Sequence, residues 1–124
     1  MGSFDNLGVM AKVFLTYSDD SDDGFAVFGH GFFLLLRGIQ NYGSINKAAK
    51  DLDMSYSKAW NLVKHSEERF GVPLIESNVP RGSRLTDQGK SLLAVYNRVN
   101  AEVKEFAEHA LADNLDGFDL KKPT

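Results

Sequence analysis

"GSINKAAKDLDMSYSKAW" (residues 43–60) carries two short helical patterns nearly back to back, parted only at Asp53-Met54. Ser44 is placed to cap the first, over residues 45–53, whose inner face is Ile45, Ala48, Ala49 and Leu52 at i, i+3, i+4 and i+7. Ser55 is placed to cap the second, which runs to about Phe70 and meets Gly71 where a C-terminal glycine belongs. Its inner face reads Ala59, Leu62, Val63 and Ser66. Two helices that cross steeply need a small residue where they touch, and Ala49 supplies it. "DLDMS" is a short, tight link, with Met54 turned inward.

With those faces inside, the outward set on the second helix is Ser55, Tyr56, Ser57, Trp60, Asn61 and Lys64. Hydroxyls and lysine suit phosphates, asparagine suits an adenine edge, and exposed rings suit thymine methyls. The pattern therefore predicts a helix–turn–helix whose second helix enters a major groove.

Upstream, "VMAKVFLTYS" (9–18) alternates, with Val9, Ala11, Val13, Leu15 and Tyr17 on one face, and "FAVFG" (25–29) is a second β-like run. Joined by the turn-rich "DDSDDG", they predict an N-terminal β-hairpin. Phe32–Tyr42 has a thick apolar face (Phe32, Leu35, Leu36, Ile39) and reads as a buried helix ended at Gly43. Downstream, "VPLIES" and "SRLT" flank "NVPRG" and predict a second hairpin tipped by Arg81 and Arg84, placed as a wing. Thr86 then caps a long final helix reaching about 111–115. In it Leu92, Tyr96, Val99, Val103, Phe106 and Ala110 are spaced 4, 3, 4, 3, 4, a heptad seam. A helix of ~25 residues extends ~37 Å and overhangs the unit before it. Two-fold pairing of this helix is the expectation; burial of the seam within one chain is the alternative.

The expected fold is mainly α with a small β component: a winged helix–turn–helix with an N-terminal β-hairpin and a long C-terminal dimerisation helix. The expected organisation is a disordered N-terminus over 1–8, one domain over 9–115 including the dimerisation helix 86–115, and a flexible tail over 116–124.

Bulk composition agrees with one soluble domain. The 124 residues are 43% hydrophobic and 25% charged. The longest apolar run, Phe32 to Leu36, is far short of a membrane span, and the N-terminus has no secretory pattern, so a cytoplasmic protein is expected. Zero cysteines exclude disulfides, thiolate catalysis and cysteine-based zinc sites. The formal net charge of −3 hides a division: residues 1–29 carry −4, residues 30–86 carry +3 and residues 87–124 carry −2. Phosphate attraction is local, screened over roughly 8 Å at physiological salt, so a basic middle can serve an acidic chain.

The stretch "GSINKAAKDLDMSYSKAWNLVKHSEERFGVPLIES" followed by "RLTDQGKSLL" resembles the N-terminal DNA-binding domain shared by LysR-type and ModE-type molybdenum-dependent regulators. The "GSI..AA..L.MSY..AW.LV" core and the hairpin "KVFLTYSDDSDDGFAVFGHG" point to the ModE type, since the LysR pattern has Gln-Pro where this chain has Tyr56-Ser57. The resemblance covers roughly residues 10–110 and implies a winged-helix homodimer that binds double-stranded DNA at an inverted-repeat operator and controls transcription. Full-length ModE-type regulators carry C-terminal oxyanion-binding modules; this chain ends before one could begin, so a domain without its own molybdate site is expected. The family's glycine-rich wing is here the shorter "SNVPRGSR", with Ser77 and Asn78 where arginine is common. Asp53 stands where the turn favours glycine and must bear left-handed geometry.

The candidate DNA-binding residues are Ser44, Asn46, Lys47, Ser55, Tyr56, Ser57, Lys58, Trp60, Asn61, Lys64, Arg81 and Arg84. Tyr56, Ser57 and Lys58 open their helix, where side chains reach the groove first and the dipole favours phosphate. Trp60 reads first as a packing anchor against the wing or first helix and second as a DNA contact, and Asn46 and Lys47 read equally as a solvated face. The candidate dimer interface is the heptad seam. Asp19, Ser21, Asp23 and Gly24 mimic the opening of a calcium loop, but His30 stands where its closing glutamate is required, so an acidic turn is the reading. His30, His65 and His109 show no metal spacing, and no nucleotide-binding loop is present. No enzyme activity, metal or cofactor is expected, and an effector or partner protein of unknown identity stays open. The rival class is a winged-helix interaction or adaptor module that does not bind DNA.

Overall fold

The computed structural model describes residues 6–17, 28–77 and 82–117. Along the chain come helix α1 (His30–Tyr42), α2 (Ile45–Asp51), α3 (Tyr56–Phe70), strands β1 (Ile75–Ser77) and β2 (Ser83–Leu85), helix α4 (Asp87–Asn114) and a 3-10 turn (Leu115–Gly117). This is a winged helix–turn–helix with one antiparallel two-stranded wing and a long last helix. The start and stop signals act where the sequence places them. Ser44, Ser55 and Thr86 accept from the backbone N–H of Lys47, Lys58 and Gly89, and Gly43 and Gly71 close α1 and α3 in left-handed geometry.

The core is the apolar face of α1 (Phe32, Phe33, Leu35, Leu36, Ile39) packed on Ile45, Ala48, Ala49, Ala59 and Val63 of the helix–turn–helix, with Leu74, Leu85 and Leu93 closing it. Leu52 and Leu62, expected inside, are only half-buried. Ala49 is buried and its carbonyl accepts the Met54 N–H at 2.9 Å, which folds the turn back on α2. A close approach that the sequence pattern did not reveal lies between α1 and α2: a Cβ on Gly38 would stand 2.8 Å from the Ala48 Cβ. Even alanine at 38 would push the two helices apart.

Of the expected N-terminal hairpin, the described residues show one antiparallel bridge, Leu15 to Phe28, joined by hydrogen bonds of 2.8 and 3.3 Å. Of the residues expected to share one face, Ala11 and Tyr17 are exposed. Side chains also hold the segment: the Tyr96 hydroxyl donates to the Val13 carbonyl at 2.8 Å, and Tyr17 meets the Phe70 ring and the Arg69 guanidinium. The acidic turn, the run 25–27, the ends 1–5 and 118–124 assigned to a disordered N-terminus and a flexible tail, and the wing tip 78–81 lie outside the described residues.

Tyr96 also requires correction. Assigned to an outward seam, it is fully buried in the chain's own core, its ring 4.8 Å from Phe28 and 5.0 Å from Phe33. The heptad cannot distinguish Tyr96 from Val95, which also continues Leu92 by helical spacing; Val95 is the exposed member. Beyond Tyr96 no residue of α4 is buried, so the helix leaves the core there.

Burial pushes the Tyr96 phenol above its ordinary value of 10.0, because the phenolate would be desolvated. The folded chain therefore holds that proton more tightly, and the associated stability is complete below pH 10 and lost as pH rises further. Tyr96→Phe is expected to cost about 1 kcal/mol, with the Val13 carbonyl left unpaired, and to remove this part of the alkaline loss. Denaturant titrations at pH 7 and above 10 read both effects. Asp53, at φ 56°, is the non-glycine residue in left-handed geometry among the described residues. Asp53→Gly is expected to raise stability by about 0.5–1 kcal/mol, seen as a higher melting temperature.

Candidate nucleic-acid interface

The outward side of α3 is built by spacing: Ser57, Asn61 and Lys64 at i, i+4 and i+7 are all exposed, as is Lys58. Tyr56, 54% exposed, stands on the flank of this face, edge-on to Trp60 with ring centroids 6.3 Å apart. Trp60 is half-buried and packs against the core, yet it also lines a cleft of ≈ 430 Å³. Tyr56, with Ser44, Ile45 and Asn46 at the start of α2 and Ser77, Gly82 and Ser83 at the outer end of the wing's strands, completes that cleft. Trp60 thus packs on the core and borders the space between α3 and the wing.

Ser44 and Ser55 are already engaged. Each Oγ accepts a backbone N–H, at 3.2 and 3.1 Å, which leaves the hydroxyl proton and one lone pair to offer outward. Asn46 and Lys47 are exposed at the first turn of α2, beside the same cleft in the case of Asn46. Lys50 in the last turn of α2 and His65 on α3 are exposed too, and neither was among the DNA-binding candidates read from sequence. The signal was present for His65, which follows Asn61 by i+4.

The wing is short, with Ile75 opposite Leu85, Glu76 opposite Arg84 and Ser77 opposite Ser83. Arg84 lies on β2 rather than at the tip, and its Nε donates to the Glu76 carboxylate at 3.0 Å. Both partners are exposed, so the pair is weak and the guanidinium can be recruited by a phosphate. Arg81 lies outside the described residues.

Two contacts aim the wing. The Ser83 N–H donates to the Gly43 carbonyl at 3.0 Å, and a side chain at Gly82 would collide with that carbonyl. On the other side, one carboxylate oxygen of Glu67 in α3 accepts from the backbone N–H of Leu74 at 2.7 Å and of Ile75 at 3.2 Å. Glu67 therefore fixes where β1 leaves the recognition helix.

Residues 34–90 match the family described as bacterial regulatory helix-turn-helix protein, lysR family. These residues form a LysR-type helix–turn–helix domain. The chain is 36% identical over 83 residues to the transcriptional regulator ModE of Haemophilus influenzae, covering 64% of this chain and 32% of that protein. It is 33% identical over 72 residues to the molybdenum transport protein ModE of Azotobacter vinelandii (55% and 27%). Against the molybdenum-pterin-binding protein MopB of Rhodobacter capsulatus it is 31% identical over 87 residues (66% and 32%). The chain spans about a third of the length of these relatives, and the shared part is a ModE-like N-terminal domain. Within the LysR-type domain and around it, among the described residues, no cluster of three His, Cys, Asp or Glu could hold a metal ion, and no helix is long and apolar enough to cross a membrane.

Glu67→Ala leaves two backbone donors at the wing's root without their acceptor. The expected cost is about 1–3 kcal/mol of unfolding free energy; Glu67→Gln, which keeps an acceptor oxygen, is expected to cost less. Chemical denaturation of the two variants orders them.

Proposed function

We propose that this chain is a sequence-specific reader of double-stranded DNA that regulates transcription from the cytoplasm. The observation that carries the reading is the exposed Ser57, Lys58, Asn61 and Lys64 surface at the start and middle of α3, beside a wing held in register with it. In this reading α3 enters the major groove. Lys58 and Lys64 neutralise phosphates, Asn61 reads a base edge, and Tyr56 with Trp60 borders the strand that passes toward the wing. Lys47, Asn46 and the two capping serines flank that strand, and Arg84 and Arg81 follow it on the wing side. The positive balance of residues 30–86 supports this placement despite the acidic whole.

The chain acts as a homodimer in the same reading, paired through the α4 stripe of Leu92, Val99, Val103, Phe106 and Ala110. The half-sites of an inverted repeat then lie about one helical turn, ~34 Å, or a multiple of it apart. The similarity to the transcriptional regulator ModE of Haemophilus influenzae supports a regulatory role.

Selection from randomised duplexes with the purified chain is expected to return a palindromic motif. On that duplex, Lys58→Ala is expected to lower the slope of log affinity against log salt by about 1, affecting all sequences alike. Asn61→Ala is expected to cost about 1–3 kcal/mol on the selected site and to relax preference at one base pair. Fluorescence anisotropy reads both. A folded chain that binds no duplex at low salt would favour the adaptor-module reading.

A further inference from the structure

Away from the recognition face, the N-terminal segment, the start of α1 and the middle of α4 enclose a second cleft of ≈ 410 Å³. Small-molecule sites span roughly 300–1,000 Å³, so this one is of ligand size. Among the described residues it shares no lining side chain with the cleft between α3 and the wing. Met10 and Phe14 give it an apolar wall and are themselves 89% and 57% exposed. Tyr96, Asn100 and Lys104 face that wall at i, i+4 and i+8, a stripe about 12 Å long on α4.

The charge around the cleft runs against the chain's own balance. Residues 1–29 carry five aspartates and one lysine, and that lysine, Lys12, lines the cleft. On α4 it is Lys104 that lines it and not the neighbouring Glu102 or Glu105; among the described residues no carboxylate borders the space. Neither lysine is ion-paired with another described residue. The start of α1 adds to this. Serine or threonine caps α2, α3 and α4, but any side chain at Gly29 would stand 2.8 Å from the Phe14 ring, and α1 begins there with no side-chain cap. Its first-turn N–H groups, beside His30 on the cleft, are left as open donors that favour an anion.

We infer that this cleft binds a small amphipathic organic anion, a carboxylate or phosphate ester carried on an apolar ring. Lys12, Lys104 and the start of α1 hold the anionic group, the Asn100 amide orients it, and Met10 with Phe14 covers the ring. A bare inorganic anion would leave those two side chains in water, and a neutral apolar molecule would leave both lysines unanswered. The inference goes beyond the DNA reading and does not rest on it. Its consequence is mechanical: the ligand ties residues 10–14 to α4 about two turns past Tyr96, where the helix has left the core.

Naphthoate and naphthyl phosphate are the probes, with naphthamide as the uncharged body and inorganic phosphate as the bare anion. Each is titrated into the full chain while backbone amide chemical shifts are followed. The expected result is saturable shifts at residues 10–14, 30–32 and 100–104 with at least one amphipathic anion. Naphthamide and inorganic phosphate are expected to bind at least ~10-fold more weakly. Lys12→Ala combined with Lys104→Ala, its fold checked by circular dichroism, is expected to raise the Kd of the anion at least ~10-fold. Binding of the carboxylate alone or of the phosphate ester alone supports the inference and fixes the anion class. Equal binding of naphthamide or of inorganic phosphate, unchanged binding in the double variant, or no shift at these residues at millimolar probe would each overturn it.

Discussion

One carboxylate sets the angle between the recognition helix and the wing. The segment after Gly71 must turn away from α3 and become β1, and its backbone groups there have no ladder partner on both sides. Glu67 takes the N–H groups of Leu74 and Ile75, while Thr86 answers from the other direction: its N–H donates to the Leu74 carbonyl and its hydroxyl to the Pro73 carbonyl. The same Thr86 Oγ accepts the Gly89 N–H and so starts α4. Three elements are therefore tied through four residues of connecting chain. Gly89 permits the contact, since a side chain there would strike the Leu74 carbonyl. Loss of a buried polar partner at this junction is costly because water cannot fully replace it.

The electrostatics follow from this rigid framing. A short wing with a weak Glu76–Arg84 pair contributes little fixed structure by itself, so its orientation is borrowed from α3 through Glu67 and from the α1–α2 turn through Gly43. A phosphate that draws Arg84 from Glu76 breaks only an exposed pair, a small penalty. Within residues 30–86 the acidic side chains Asp51, Asp53, Glu67, Glu68 and Glu76 are outweighed by eight lysines and arginines. At physiological salt the local positive balance is what a phosphate would sense.

What could be read from sequence was local. Caps at Ser44, Ser55 and Thr86, the glycine stops at 43 and 71, the left-handed Asp53 and the buried α1 face all follow from chemistry within a few residues. What escaped depends on partners distant in the chain. Tyr96 meets Val13 and Phe28; Gly38 meets Ala48; Gly82 meets Gly43; Glu67 meets the start of β1. Periodicity could not separate Tyr96 from Val95 because both positions satisfy the same stripe, and only the location of the core decides between them. The alternation in 9–17 could not show that a tyrosine hydroxyl from the last helix meets the Val13 carbonyl beside the Leu15–Phe28 bridge. The outward face of α3 was legible as a face; the cleft that Trp60 borders was not, because it is formed by three separate segments.

The last helix divides at Tyr96 into a part packed in the core and a part that leaves it, and the proposed reading assigns the second part to assembly. A single α3 surface offers a few charged and polar contacts, each modest and screened by salt. Two such surfaces on one rigid two-fold body turn the second encounter into an intramolecular one, so that affinity rises without any new contact. That gain requires α4 to be stiff from the core outward. Thr86 and Gly89 supply this by starting the helix directly on the wing's root, where Glu67 has already fixed α3. A change at the junction would therefore be felt twice, in the angle of the wing and in the distance between recognition helices.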